Sequence, residues 1–67
     1  MKMKKLAIGA VKRNGKYIMR ANNGELPQEG YEHDTRESVY KDIEKMYSNP
    51  IWNGRWTSNT SFVIEVD

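Results

Sequence analysis

The dipeptide Asn14-Gly15 restricts the fold of this 67-residue chain more than any other feature. Asn-Gly accepts the positive φ angles of a type I′ turn, so it predicts a tight antiparallel hairpin between residues 5–13 and residues 16–21. A two-residue turn also fixes the register, which places Arg13 opposite Lys16 and Ala10 opposite Met19. One face of the hairpin is predicted to line the core: Leu6, Ile8, Ala10, Met19 and Ala21.

The length and the absence of cysteine limit both the core and the cellular setting. We expect one domain over residues 1–67, with a thin core and a stability of roughly 3 to 5 kcal/mol. No disulfide framework is possible, which favours a reducing environment. The apolar run between Lys5 and Lys12 is too short for a signal peptide or a membrane span. The sequence therefore predicts a cytoplasmic protein without a membrane segment.

Residues 34–50 carry the signals of one amphipathic helix. Asp34 and Glu37 have the spacing of a capping box, in which each side chain binds a free backbone N–H of the other. The helix is expected over residues 35–48, because the residue before Pro50 is pushed out of helical angles. Its apolar side chains recur at helical spacing: Val39, Tyr40, Ile43, Met46 and Tyr47.

The remaining segments complete an α+β fold. Residues 61–66 alternate between apolar and polar positions and predict a half-buried strand, whereas the glycines and the proline of residues 22–33 predict a loop or a broken edge strand. The element order is β-β-α-β, with a short strand near Leu26 or a second hairpin at residues 51–56 as possible additions. We expect a single small domain with a three-stranded, mostly antiparallel sheet and one helix on one face.

Several short motifs resemble the repeat of YegP-like small bacterial domains. The matching stretches are Gly15-Lys16-Tyr17, Arg20-Ala21-Asn22-Asn23-Gly24-Glu25 and Glu29-Gly30-Tyr31, followed by a helix that ends near Asn49. The likeness covers about half of the chain, and residues 51–66 have no counterpart in it. It implies a hairpin-plus-helix fold and carries no activity with it. The element order is also similar to that of small bacteriophage proteins that inhibit host RNA polymerase, without shared motifs.

The charges are unevenly distributed along the chain. Residues 1–23 hold seven basic side chains and no acid, whereas residues 24–48 hold seven acids and three basic side chains. The basic hairpin is a candidate nucleic-acid site, in which cations bind phosphates and an aromatic ring stacks on a base. The plainer interpretation is a solvated edge hairpin protected from aggregation by lysine. The nucleic-acid hypothesis assigns this site to five residues: Lys12, Arg13, Lys16, Tyr17 and Arg20.

The segment Trp52-Asn53-Gly54-Arg55-Trp56 provides the leading functional hypothesis. A two-residue turn at Asn53-Gly54 would put Trp52 and Arg55 on one face, and Ile51 with Trp56 on the other. An exposed Trp/Arg pair is typical of a protein-binding hot spot, although indoles also fill thin cores. Together with the acidic loop residues Glu29 and Glu32, this surface predicts a protein-interaction module, such as an inhibitor or adaptor, whose partner is another protein.

Catalytic and metal-binding patterns are missing from the sequence. His33 is the only histidine, and neither a nucleophile motif nor a metal-ligand spacing accompanies it. The hydroxyl-rich segment 57–61 is typical of a turn. We therefore expect a protein that is not an enzyme and that binds no cofactor or metal. The sequence leaves the oligomeric state open.

Overall fold

The computed structural model describes residues 4–67 and shows a four-stranded antiparallel sheet with one helix against one face. The sheet order is β2-β1-β4-β3, so the two central strands come from opposite ends of the described chain. The elements are β1 (Lys4–Arg13), β2 (Lys16–Ala21), α1 (Arg36–Tyr47), β3 (Arg55–Trp56) and β4 (Phe62–Val66). The predicted α+β class is confirmed, but the predicted three-stranded sheet is one strand short.

The first hairpin has the predicted register. Asn14 and Gly15 both have positive φ, at 52° and 82°, as a type I′ turn requires. Arg13 pairs with Lys16 and Ala10 with Met19. Because the turn and the alternation of apolar residues favour the same register, the local sequence is sufficient to predict this register.

The core lies between the sheet and the helix. Leu6 and Ile8 of β1, Met19 of β2, and Phe62 and Ile64 of β4 face the helix from the sheet. Val39, Ile43 and Tyr47 face the sheet from α1, each 0% exposed. The predicted stripe is therefore correct, and the half-buried side chains of Tyr40 and Met46 border it.

The helix begins one residue later than the capping-box pattern suggests. Thr35 is the N-cap, and its Oγ1 accepts a hydrogen bond from the Ser38 N–H at 3.2 Å. Asp34 forms an ion pair with Lys16 of the hairpin. The prediction of Asp34 as the cap was wrong, because a nearby cation takes its carboxylate and the following threonine supplies the capping oxygen.

The predicted turn at Asn53-Gly54 does not form a hairpin. Asn53 has φ of 49°, but β3 pairs with β4 across residues 57–61, with Arg55 opposite Val63 and Trp56 opposite Phe62. The Trp52 N–H donates to the nearby Asn49 carbonyl at 3.2 Å, whereas the Trp52 carbonyl accepts from the distant Glu65 N–H at 2.8 Å. Ile51 and Trp56, which the turn would place on one face, also differ, because Ile51 is 63% exposed whereas Trp56 is half-buried against the core.

The predicted loop at residues 22–33 follows the free edge of β2 and makes a few fixed contacts. The Tyr17 N–H donates to the His33 carbonyl at 2.8 Å, and the His33 N–H donates to the Tyr17 carbonyl at 2.9 Å. Leu26 packs against the core, and the Tyr47 hydroxyl donates to the Gln28 carbonyl. Within residues 4–67 we find no helix with the length and apolar character that crossing a membrane requires.

Candidate binding surfaces

The sheet has an inner face, which α1 covers, and an outer face without a helix on it. Residues paired across antiparallel strands share a face, and successive residues alternate. The register therefore assigns five basic side chains and one carboxylate of the strands to the outer face. They are Lys5, Arg13, Lys16, Arg20, Arg55 and Glu65.

Two pairs of apolar side chains lie on this outer face, on either side of Gly9, where the Thr60 carbonyl comes close to the strand. Val11 and Ile18 lie opposite each other on β1 and β2, and Ala7 lies opposite Val63 across β1 and β4. Val11 is 36% exposed, and the other three are half-buried. The outer face thus combines two partly exposed apolar pairs with basic side chains around them. The sequence analysis missed Val11, Ile18 and Val63, although the period-2 pattern of the strands contains this signal.

The residues proposed for nucleic-acid binding are divided between the two faces. Arg13, Lys16 and Arg20 belong to the outer face, whereas Lys12 pairs with Tyr17 on the inner face. The Tyr17 ring is half-buried and lies 5.3 Å from the guanidinium carbon of Arg36 at the start of α1. Tyr17 and the three outer-face cations therefore lie on opposite faces of the hairpin.

Lys16 also has a charged partner close to the start of the helix. Its ammonium and the Asp34 carboxylate form an exposed ion pair. The hydrogen bond and the charge attraction raise the pKa of Lys16 and lower the pKa of Asp34. Both groups are therefore charged near neutral pH, and this pair reduces the positive charge that Lys16 adds to the outer face.

Trp52 and Arg55 lie on opposite sides of the sheet. The Trp52 ring packs edge-on against Tyr47 of α1, with ring centroids 5.6 Å apart, whereas Arg55 pairs with Val63 on the outer face. Trp56 faces inward: it contacts Tyr40 and Phe62 edge-on, and its Nε1 donates to Glu44 at 2.7 Å. The two members of the predicted Trp/Arg pair are thus separated.

The acidic loop residues line a groove beside β2. The groove has a volume of about 500 Å³, and Glu25, Glu29 and Glu32 come from the loop that borders it. Arg13 and Arg20 border it from the sheet. The structure therefore brings residues of both sequence hypotheses, the acidic loop and the basic hairpin, to one place.

His33 has a partner that the sequence did not indicate. Its Nε2 forms a hydrogen-bonded contact with the Asp42 carboxylate on α1, where both side chains are half-buried. The contact ties the end of the loop to the helix, nine positions away in sequence. In the described part of the chain, no group of three or more acidic or histidine side chains is arranged to hold a metal ion.

No protein-family model, curated protein or solved structure matches this chain. The resemblance to YegP-like domains stays a prediction.

Proposed function

We propose that this chain is a small protein-binding module that docks an acidic surface of its partner on the outer face of the sheet. The observation that carries the proposal is the combination, on one face, of basic side chains with two partly exposed apolar pairs. Apolar contact supplies affinity, while the surrounding charges orient the partner and accelerate its association. Arg55 keeps the role that the sequence suggested, and Trp52 contributes by holding the loop against the helix.

The small size of the molecule, with a Cα radius of gyration of 11.2 Å, supports a role as adaptor or inhibitor. A protein of this size can act by covering part of its partner's surface, because a standard interface buries only about 800 Å² on each side. Inhibition results if that acidic surface is needed for another interaction.

Capture from an extract of the producing cells tests the proposal. Wild type, Arg55→Glu and Lys12→Glu are immobilised in parallel, with and without nuclease, and captured proteins are identified and then titrated in pure form. Lys12→Glu is the matched control, since it makes the same charge change on the inner face. We expect a nuclease-resistant partner that binds Lys12→Glu as it binds wild type, and Arg55→Glu at least tenfold more weakly. Equal binding by the two variants contradicts the proposal.

A second candidate function is nucleic-acid binding through Arg13, Lys16 and Arg20, which share the outer face. Without a stacking ring beside these cations, such binding rests on phosphate contacts and has little sequence preference. It predicts an affinity that falls steeply as the salt concentration rises. Titration of single-stranded DNA and RNA at several salt concentrations measures this, and undetectable binding at low ionic strength removes this candidate.

A further inference from the structure

The open edge of β2 holds backbone groups that make no hydrogen bond. Tyr17 directs both its N–H and its C=O away from β1, toward His33. Backbone directions alternate along a strand, so Met19 and Ala21 direct theirs out of the same edge. Within residues 4–67, no hydrogen bond reaches the N–H or C=O of Met19 or the N–H of Ala21.

The burial of Met19 makes its unpaired backbone groups unusual. The residue is 5% exposed, so bulk water has little access to its backbone. More than about nine in ten buried backbone groups in proteins are paired, and unpaired ones call for a specific explanation. The loop opposite does not supply the partner: after the contact at His33 it diverges from the strand and leaves the groove of about 500 Å³, of which Met19 and Ala21 form part of the wall.

Gly30 shapes the groove at this position. A Cβ at residue 30 would collide with the terminal atoms of the Met19 side chain, so the loop backbone rests directly on that side chain. The groove therefore has a strand edge on one side and a close-packed loop on the other.

The charged groups that line the groove form no ion pair in the described part of the chain, although the Glu32 carboxylate is near enough to contribute to the raised pKa of Lys16. They are Arg13 and Arg20 on the strand side, and Glu25, Glu29 and Glu32 on the loop side. An extended segment with one acidic and one basic side chain complements both walls. A segment of like charges complements only one wall and is repelled by the other.

We propose that the groove between β2 and residues 24–32 binds an extended peptide segment of a partner protein, which pairs with the backbone of Met19 and Ala21 and places an acidic side chain near Arg20 and a basic one near Glu29. The pairing is β-strand addition to a free sheet edge, in which backbone bonds provide affinity and side chains provide selectivity. The site is separate from the outer face around Arg55, so either site is testable without the other.

Labelled synthetic peptides test the groove directly. The probes are nine-residue peptides of alternating Thr and Val that carry one Lys and one Glu, two Lys, two Glu or no charge, and binding is followed by fluorescence anisotropy. We expect the Lys/Glu peptide to bind most tightly, and Glu29→Gln and Arg20→Gln each to weaken it several-fold. Glu37→Gln, an exposed acid on α1, is the matched control and leaves binding unchanged. Equal binding of all four peptides overturns the charge assignment.

N-methylated peptides separate strand pairing from simple charge attraction. Two versions of the Lys/Glu peptide carry N-methyl groups on alternate residues, in opposite phase, so that only one phase removes the N–H groups directed at β2. We expect one phase to lose about tenfold or more in affinity, in line with the loss of backbone hydrogen bonds, and the other to bind normally. The Met19 and Ala21 amides of the protein should become protected from hydrogen exchange in the complex.

Three results would overturn this proposal. One is no binding by any peptide, with rapid exchange of the Met19 amide, which means that water fills the groove. Another is an equal effect of both N-methylation phases, which excludes backbone pairing. The last is sedimentation as a dimer with a protected Met19 amide in the free protein, which means that a second copy occupies the edge. None of these results depends on the Arg55 surface.

Discussion

At the scale of single residues, Gly54 and Gly30 both let a loop pack closely against the core, but the atoms that they contact differ in their freedom to move. At Gly54, a Cβ would meet the Phe62 ring and would lie 2.5 Å from the Tyr47 carbonyl oxygen. At Gly30, it would meet the terminal Sδ and Cε of Met19. A buried ring and a backbone carbonyl have little freedom to move, whereas a methionine side chain has three rotatable bonds.

We therefore predict that Gly54→Ala destabilises the protein much more than Gly30→Ala. Overpacking against rigid atoms costs about 1 to 3 kcal/mol, a large part of the stability of a domain of this size. Gly30→Ala costs less, since Met19 can adopt another rotamer. Urea unfolding followed by tryptophan fluorescence measures both changes. The prediction fails if the two variants unfold at the same urea concentration.

Trp52 and Arg55 are residue types that are common in binding surfaces, but the fold places them on opposite sides of the sheet. The Trp52 ring packs against Tyr47 and is partly buried, so Trp52→Ala removes core contacts as well as any surface. A loss of binding in that variant would report unfolding as readily as a lost contact. Arg55 is the better probe of binding, because it is exposed and projects from the outer face.

At the scale of elements, the parts that the sequence predicted are those with strong local signals. The Asn14-Gly15 hairpin, the helix stripe and the alternation in β4 each arise from residues close together in the chain. Asn53-Gly54 is the same dipeptide as Asn14-Gly15, but it does not form the turn of a hairpin. There, Asn53 donates to Glu65 and Gly54 packs against Phe62, which are tertiary contacts that a local turn pattern does not contain.

The outer face and the groove had weaker signals for the same reason. Which hairpin cations share a face follows from the register, and the sequence already supplied that register. That Arg55 joins them follows only from the pairing of β3 with β4, two strands that the sequence did not connect. The Met19 backbone groups stay unpaired because the loop diverges from β2 before it reaches them. No sequence pattern indicates where the loop diverges.

For the helix, we predict that Thr35→Ala lowers the stability by about 1 kcal/mol, because it removes the oxygen that caps the Ser38 N–H. Thr35→Ser keeps that oxygen and should retain most of the stability. Asp34→Ala is the comparison variant: it removes an exposed ion pair with Lys16, which contributes little to folding. Thermal unfolding by circular dichroism measures all three. A larger loss for Asp34→Ala than for Thr35→Ala would restore Asp34 as the cap.

At the scale of the whole molecule, the two faces of the single sheet differ. One face packs against the helix and forms the thin core, and the other face has no helix on it. The buried side chains are eight apolar or aromatic residues within the described chain, and one helix covers them. The opposite face of the same strands carries most of the basic side chains of the sheet. Adjacent residues of one strand therefore face different surroundings, the inner one the core and the outer one the surface that we propose for partner binding.

Ile64 and Val63 in β4 give the sharpest test of this division. Ile64 is 0% exposed against the helix, whereas Val63 is half-buried on the outer face. Ile→Ala in a core costs about 2 to 5 kcal/mol, which is comparable to the whole stability of about 3 to 5 kcal/mol expected here. We predict that Ile64→Ala is largely unfolded at 25 °C, while Val63→Ala stays folded at a cost of about 1 kcal/mol. Circular dichroism and urea unfolding report both, and Ile64→Val, which keeps most of the buried volume, should fold. A folded Ile64→Ala with an unfolded Val63→Ala would mean that the outer face of the sheet is the one buried in solution.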